Sequence, residues 1–215
     1  MTSLTPYLSE FLTIAFVHLV AVASPGPDFA IIVRQSLLHG KRTAIWSSLG
    51  VGCGILIHVG YCLLGIGLII SRSVLIFSVL KYCGALYLIY IGSKALRARP
   101  IQGTVPEVST APAPTPSRWQ AMRTGFLTNG LNPKATLFFL SLFTVVISPQ
   151  TPLPIQALYG IYMAIATALW FSGLSLFFSH SRVRETFGRM GHRLEQLTGV
   201  ILIWLGVKLA AAGLE

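Results

Sequence analysis

The single aspartate of the chain lies in a short stretch that interrupts an apolar run from residue 7 to residue 33. This stretch consists of Ser24, Pro25, Gly26, Pro27 and Asp28. Each proline lacks an N–H group, and its ring collides with the carbonyl four residues earlier, so the stretch breaks a helix. In a membrane, such a break is tolerated only where it faces protein or a water-filled cavity. A carboxylate at that place can cap free amides, bind an ammonium group or carry a proton.

A second break is predicted in the other half of the chain. It contains Asn129, Asn132, Pro133 and Lys134. Asn before Pro favours a helix start, with Asn132 as the cap and Pro133 in the first turn. Counted from the basic residues Arg34 and Arg123, each break lies roughly nine residues, or about 13 Å, into a hydrocarbon core about 30 Å thick. We therefore expect both breaks to lie near the membrane midplane and to form one shared site.

The composition indicates an all-α integral membrane protein. Of the 215 residues, 53% are hydrophobic and only 10% are charged, which is typical of membrane proteins. No basic residue precedes the first apolar run and no cleavage site follows it, so we expect a retained first span. Six apolar runs are long enough to cross a bilayer, and they predict a single membrane domain over 1–215. These runs are 8–33, 44–70, 74–96, 122–148, 153–178 and 197–213.

The net charge of +10 would suggest a nucleic-acid partner for a soluble protein. Here the basic residues gather in the connections that follow the first, third and fifth spans, whereas the fourth connection, 148–154, has none. By the positive-inside rule, the odd-numbered connections are cytoplasmic and both termini lie outside the cytoplasm. Topology in a lipid bilayer therefore explains the charge, and we expect no nucleic-acid partner.

A Pro-rich segment, 100–117, is predicted to be an extended cytoplasmic linker between two three-helix halves. Because each half crosses the membrane an odd number of times, a repeat between 1–99 and 118–215 must be inverted. The sequence contains such a repeat, since 88–94 parallels 202–208 and both halves have a broken first helix. The predicted fold is six transmembrane helices in two inverted three-helix repeats, with helices 1 and 4 broken near the midplane.

These motifs resemble the lysine exporter family of bacterial amino-acid efflux proteins, in its threonine and homoserine exporter branch. The resemblance covers nearly all of the chain outside the linker. It implies a multi-pass secondary exporter of amino acids or close derivatives in the bacterial inner membrane, driven by proton exchange, with no enzymatic activity and no cofactor. The matching stretches are 24–29, the glycine-rich 49–54 with His58, 80–94, 125–129 and 132–135.

A zwitterionic amino acid needs one partner for its carboxylate and another for its ammonium. Amides that follow Pro27 and Pro133 are candidates for the carboxylate, while Asp28 and the freed carbonyls are candidates for the ammonium. Hydrogen bonds from Ser24, Asn129 and Asn132 would complete the substrate site. Two inverted halves that rock about such a site would give alternating access.

Several roles remain open for the ionisable residues. Asp28 is a candidate proton carrier, because a carboxyl group in a low-dielectric cavity holds a proton more readily than one in water; otherwise it caps its half-helix or pairs with Lys134. For Lys134 the choices are pairing with Asp28, binding the substrate carboxylate, or reaching toward water. His58 is a candidate for proton coupling or for lining the cavity, or else a packing residue. His18 is expected to be a hydrogen-bonded core residue.

Other classes of protein fit the sequence less well. A thiol-disulfide carrier needs paired cysteines at the breaks, but Cys53, Cys62 and Cys83 lie elsewhere. A divalent-cation exporter needs several carboxylates or a His/Cys cluster, so no metal site is predicted. A non-transporting membrane subunit gives no reason for two breaks at one depth, and no zinc or nucleophile motif of an intramembrane enzyme occurs. The aromatic and glycine faces are compatible with a homo-oligomer.

Overall fold

The computed structural model describes residues 5–72, 74–99, 115–148, 150–178 and 181–211. Within these ranges the regular structure is helical, as predicted, and contains no β-strand. Most of the predicted linker lies outside the described residues. The helices are α1 (Thr5–Ala23), α2 (Pro27–Arg72), α3 (Val74–Leu96), α4 (Arg118–Gly130), α5 (Pro133–Ser141), α6 (Leu153–Phe177) and α7 (Ser181–Ala211), and a π-helical turn (Leu142–Val146) continues α5.

Two stretches of helix among the described residues are long and apolar enough to cross a membrane. They are Pro27–Leu64 and Leu153–Phe177, and shorter apolar stretches cover Tyr7–Ala23 and Pro133–Val146. The first predicted span therefore corresponds to α1 together with the beginning of α2, and the fourth corresponds to α4, α5 and the π-helical turn.

The first break separates α1 from α2 at residues 24–26, where the sequence predicts it. The new helix starts at once, because Gly26 O accepts a hydrogen bond from Ala30 N at 2.9 Å. The helix then bends at Gly40, whose φ of 79° and ψ of 171° lie in a region that favours glycine. The first helical part of α2 thus reaches His39, whereas the first predicted span ends at residue 33, next to Arg34.

The second break separates α4 from α5 at residues 131–132. Asn132 caps α5, since its Oδ1 accepts a hydrogen bond from Lys134 N at 3.0 Å, and Pro133 occupies the first turn. Both features of this helix start are confirmed. The π-helical turn was not predicted, because one additional residue in a helical turn leaves the hydropathy pattern unchanged.

The last helix is longer than the predicted span 197–213. It begins at Ser181, so the basic fifth connection is itself helical. The hydropathy criterion excludes this segment because it is charged, although Arg, Glu, Leu and Met all have good helix propensity. The predicted apolar span thus begins inside α7, and the basic first part of the helix precedes it.

The helices that carry the breaks are held by close backbone contacts. α2 packs along α4 and α6, and α3 packs along α7. A Cβ atom added to Gly50 would lie 2.0 Å from Met122 O, and one added to Gly125 would lie 1.9 Å from Ser47 O. Glycine is therefore required where α2 crosses α4, because small residues let two helix backbones approach this closely.

Candidate functional site

The two breaks meet around a cavity of about 50 Å³, enough for a few water molecules. α1 and α2 bring the first break to its wall, while α4 and α5 bring the second. The structure thus joins residues that are far apart in the sequence. The polar residues of the wall that belong to the breaks are Ser24, Asp28, Asn129, Asn132 and Lys134.

Asp28 links the two halves of the chain. Its Oδ2 accepts hydrogen bonds from Asn129 Nδ2 at 2.9 Å and from Asn132 Nδ2 at 3.2 Å. Its Oδ1 is buried and has no hydrogen-bond partner among the described residues, and the same is true of Asn129 Oδ1. Buried acceptors normally have partners, so these two oxygens are suited to bind a donor such as an ammonium group.

Lys134 extends from the first turn of α5 toward the first break. Its Nζ donates to Ser24 Oγ at 3.0 Å. Lys134 and Asp28 form no ion pair within 4.0 Å, but their charges interact at longer range, and the charge of Glu195 also acts on Lys134. The Lys134 ammonium and the Asp28 carboxylate therefore line one cavity without direct contact between them.

Both histidines are buried and hydrogen-bonded, which confirms the expectation for His18. His18 lines the cavity, and its Nε2 lies 3.1 Å from Thr167 Oγ1. His58 is fully buried but does not line the cavity. It lies behind Asn129, with its Nε2 3.0 Å from Asn129 O, and its ring stacks on Phe139 with centroids 5.5 Å apart. His58 is therefore not part of the cavity wall.

The backbone at the breaks is partly occupied by its own hydrogen bonds. The amide of Lys134, a predicted partner for a carboxylate, already donates to the Asn132 side chain. At the end of α1, Val20 O accepts a hydrogen bond from Thr198 Oγ1 at 3.2 Å. Of the predicted site residues that remain, Gly26 lines the cavity, whereas Pro25, Pro27 and Pro133 are not part of its wall.

The other walls of the cavity were not predicted from sequence. Phe138, Phe139, Phe171, Leu202 and Ile55 provide apolar surfaces. Thr167 and His18 provide the polar groups away from the breaks. An isolated threonine or histidine in an apolar helix carries no sequence signal that assigns it to a cavity.

Glu10 fixes the far end of α1, at the connection between the π-helical turn and α6. One carboxylate oxygen accepts from Ser148 N, and the other accepts from Thr151 Oγ1 at 2.8 Å and from Tyr159 OH at 3.2 Å. This carboxylate therefore ties the first helix to the second half of the chain away from the cavity.

Metal-binding groups are not clustered in the part of the chain that the structure describes. No three side chains of His, Cys, Asp or Glu there come together as possible ligands. The three cysteines are free, with Cys62 buried, Cys53 half-buried and Cys83 exposed. The charged groups of the cavity are instead one carboxylate and one ammonium.

Comparison with known proteins places the chain among membrane translocators. Residues 19–213 match the family described as LysE type translocator. The chain is 30% identical over 207 residues to the threonine efflux protein of Escherichia coli (strain K12), an alignment that covers 94% of this chain and 98% of that protein. It is 36% identical over 129 residues to the homoserine/homoserine lactone efflux protein of Salmonella typhimurium, covering 60% of each chain. No solved structure gives a significant match.

Proposed function

Because the chain belongs to the LysE type translocator family, we propose that it is a secondary active exporter of amino acids or close derivatives in the bacterial inner membrane. Relatives named for threonine efflux and for homoserine efflux support a substrate of this size and chemistry. The observation that carries the proposal is the cavity between the two breaks, where a carboxylate and an ammonium face one space.

The substrate's ammonium binds between the two breaks, to Asp28 of the first and Asn129 of the second. Asp28 Oδ1 and Asn129 Oδ1 are buried acceptors without partners, and a substrate ammonium can donate to both. The Asp28 charge makes one of these hydrogen bonds charge-assisted, which is a stronger class of hydrogen bond than one between neutral groups.

The substrate's carboxylate binds to Lys134. Its ammonium has three donors, and the hydrogen bond to Ser24 uses one of them. Lys134 therefore takes the place of the backbone amide that the sequence suggested, since that amide is bound to Asn132. The substrate's side chain then points toward His18, Thr167 and the apolar walls.

Export is coupled to protons through Asp28 and His58. Both contact Asn129, Asp28 through the side-chain amide and His58 through the backbone carbonyl. A proton on either group changes the hydrogen bonds of the residue that ends α4. Rocking of the two halves about the cavity then opens it to one side of the membrane at a time.

Contacts between α3 and α7 support the inverted repeat. A Cβ added to Gly92 would lie 2.7 Å from Ile203 Cγ1, and one added to Gly206 would lie 2.9 Å from Ile89 Cγ1. In the sequence repeat Gly92 corresponds to Gly206 and Ile89 to Ile203. The contact of Gly92 with Ile203 is therefore equivalent to the contact of Gly206 with Ile89. Reciprocal contacts between antiparallel helices are those of a two-fold axis perpendicular to the helices. For spanning helices that axis lies in the membrane plane, as an inverted repeat requires.

A divalent-cation exporter is a weaker alternative, because Lys134 in the same cavity repels cations and the carboxylate has amide partners. The deciding experiment is counterflow in proteoliposomes that contain the purified protein. Labelled threonine, homoserine, a basic amino acid, an acidic amino acid and Mn²⁺ are compared. We expect exchange of small neutral amino acids; exchange of Mn²⁺ alone would refute the proposal.

A further inference from the structure

Tyr61 lies one turn after His58 on α2 and connects that histidine to the far side of the second break. Tyr61 OH lies 2.9 Å from His58 Nδ1 and donates to Thr136 O at 3.1 Å. The other ring nitrogen of His58 contacts Asn129 O at 3.0 Å. Asn129 is in the last turn of α4 and Thr136 in the first turn of α5. One chain of hydrogen bonds therefore spans the break from behind the cavity.

The number of protons in this chain of hydrogen bonds depends on the charge of His58. Both ends of the chain are backbone carbonyls, which only accept hydrogen bonds. The three contacts therefore need three protons: one on Nε2, one on Nδ1 and one on the tyrosine hydroxyl. A neutral imidazole and a tyrosine together supply two. Only the imidazolium form of His58 satisfies all three contacts at once.

Loss of the proton must break one of these contacts. A neutral ring carries its one proton either on Nδ1, in which case the contact with Asn129 O is lost, or on Nε2, in which case Nδ1 becomes an acceptor. In the latter tautomer the single Tyr61 hydroxyl proton can go to Nδ1 or to Thr136 O, but not to both. If it goes to Nδ1, α5 loses its link to α2 near Lys134; if it goes to Thr136 O, two lone pairs face each other between His58 and Tyr61.

We propose that Tyr61 is a positioning residue for the transported proton: through its hydroxyl it holds His58 protonated while α4 and α5 are both fastened to α2. Release of the proton breaks one of the three contacts that tie α4 and α5 to α2 behind the cavity. This inference rests on the proton coupling in the proposed function, and it adds the residue that converts proton binding into a change at the second break.

The surroundings of His58 are compatible with a buried positive charge. The His58 ring is stacked on the Phe139 ring at an interplanar angle of 4°, and a cation over an aromatic face is attracted by it. Asn129 connects His58 to the Asp28 carboxylate: its backbone oxygen contacts His58, and its side-chain amide donates to Asp28. The titratable groups on the elements packed around His58 include Tyr61, Cys62 and Asp28 on α2, Arg118 and Arg123 on α4, Lys134 on α5, His18 on α1, and Tyr159 and Tyr162 on α6.

The test measures the protonation of His58 directly. The full chain is labelled with ¹⁵N-histidine and placed in lipid bilayers without substrate, and the His58 signals are those that are missing from His58→Gln. We expect a pH at which the ring is doubly protonated in the wild type and at which Tyr61→Phe, which loses the Nδ1–H acceptor, has about a tenfold smaller protonated fraction. Tyr162→Phe, which removes another partly buried hydroxyl, is the control and should match the wild type.

A wild-type ring that stays neutral from about pH 5 to pH 8 would overturn the inference without any variant. Equal protonated fractions in the wild type and Tyr61→Phe would overturn it as well. Transport by the same proteins separates this inference from the exporter function. In Tyr61→Phe we expect amino-acid counterflow within about twofold of the wild type and proton-driven export about tenfold lower. Absence of counterflow in the wild type would refute the exporter, while the spectra would still decide the role of Tyr61.

Discussion

Lys134 Nζ donates to Ser24 Oγ at 3.0 Å, although the two residues are 110 positions apart in the chain. This hydrogen bond brings the ammonium of the second break into the first break. Because Asp28 accepts hydrogen bonds from both asparagines of the second break, the exchange of contacts is mutual. The two breaks therefore form the walls of one cavity that contains both charges.

The ammonium of Lys134 is expected to be the anchor for the substrate carboxylate. In Lys134→Gln the charge is lost while the length of the side chain is nearly kept, so substrate affinity should fall by about tenfold or more. Ser24→Ala removes only the hydroxyl partner of Lys134 and should change affinity by less than about threefold. Substrate-induced stabilisation of the purified protein measures both values; equal losses in the two variants would contradict the assignment.

The close crossing of α2 and α4 should tolerate no side chain at Gly125. A Cβ there would lie 1.9 Å from Ser47 O, and a backbone atom cannot move aside cheaply. We expect Gly125→Ala to lower stability by about 2 kcal/mol or more. Gly173→Ala is the matched control, because an added Cβ meets nothing within 4 Å. Thermal unfolding in detergent compares the two, and equal midpoints would show that α2 and α4 are not in contact.

The proposed topology puts the carboxyl terminus outside the cytoplasm. A reporter that is active only outside the cytoplasm, fused after residue 215, should therefore be active. The same reporter inserted within 100–117 should be inactive, because the basic residues around that connection stay in the cytoplasm. The opposite pattern would overturn the orientation, and activity at both places would overturn the odd number of crossings per half.

Thr167 is expected to influence which side chain the cavity accepts. Its hydroxyl is the partner of His18 Nε2 in an otherwise apolar part of the wall. Thr167→Val keeps the shape but leaves the histidine without that partner, so preference should shift by about tenfold from threonine toward valine. Thr124→Val, whose hydroxyl bonds back to its own helix at Gln120 O, is the control. Competition counterflow gives the ratio, and an unchanged ratio would remove Thr167 from the substrate site.

Local rules were sufficient to predict the breaks. Proline stereochemistry located the first break, and the Asn132-Pro133 pair located the second down to its cap. Which histidine faces the cavity depends instead on how each helix is rotated about its axis. That rotation is fixed by contacts such as Gly125 with Ser47, which join distant parts of the chain. Sequence reasoning for this reason left the role of His58 open, did not predict that the buried His18 also lines the cavity, and missed Tyr61 and Thr167.

The most direct test of the account compares wild type with Asp28→Asn in proteoliposomes that are loaded with one labelled compound at a time. The compounds are threonine, its hydroxy-acid analogue without the amino group, and its amine analogue without the carboxylate. We predict that the wild type exports threonine and neither analogue, since both charged ends of the substrate need a partner. The rate of threonine export by Asp28→Asn should be at least about tenfold lower than that of the wild type. Folded Asp28→Asn protein that exports threonine at the wild-type rate would contradict the account.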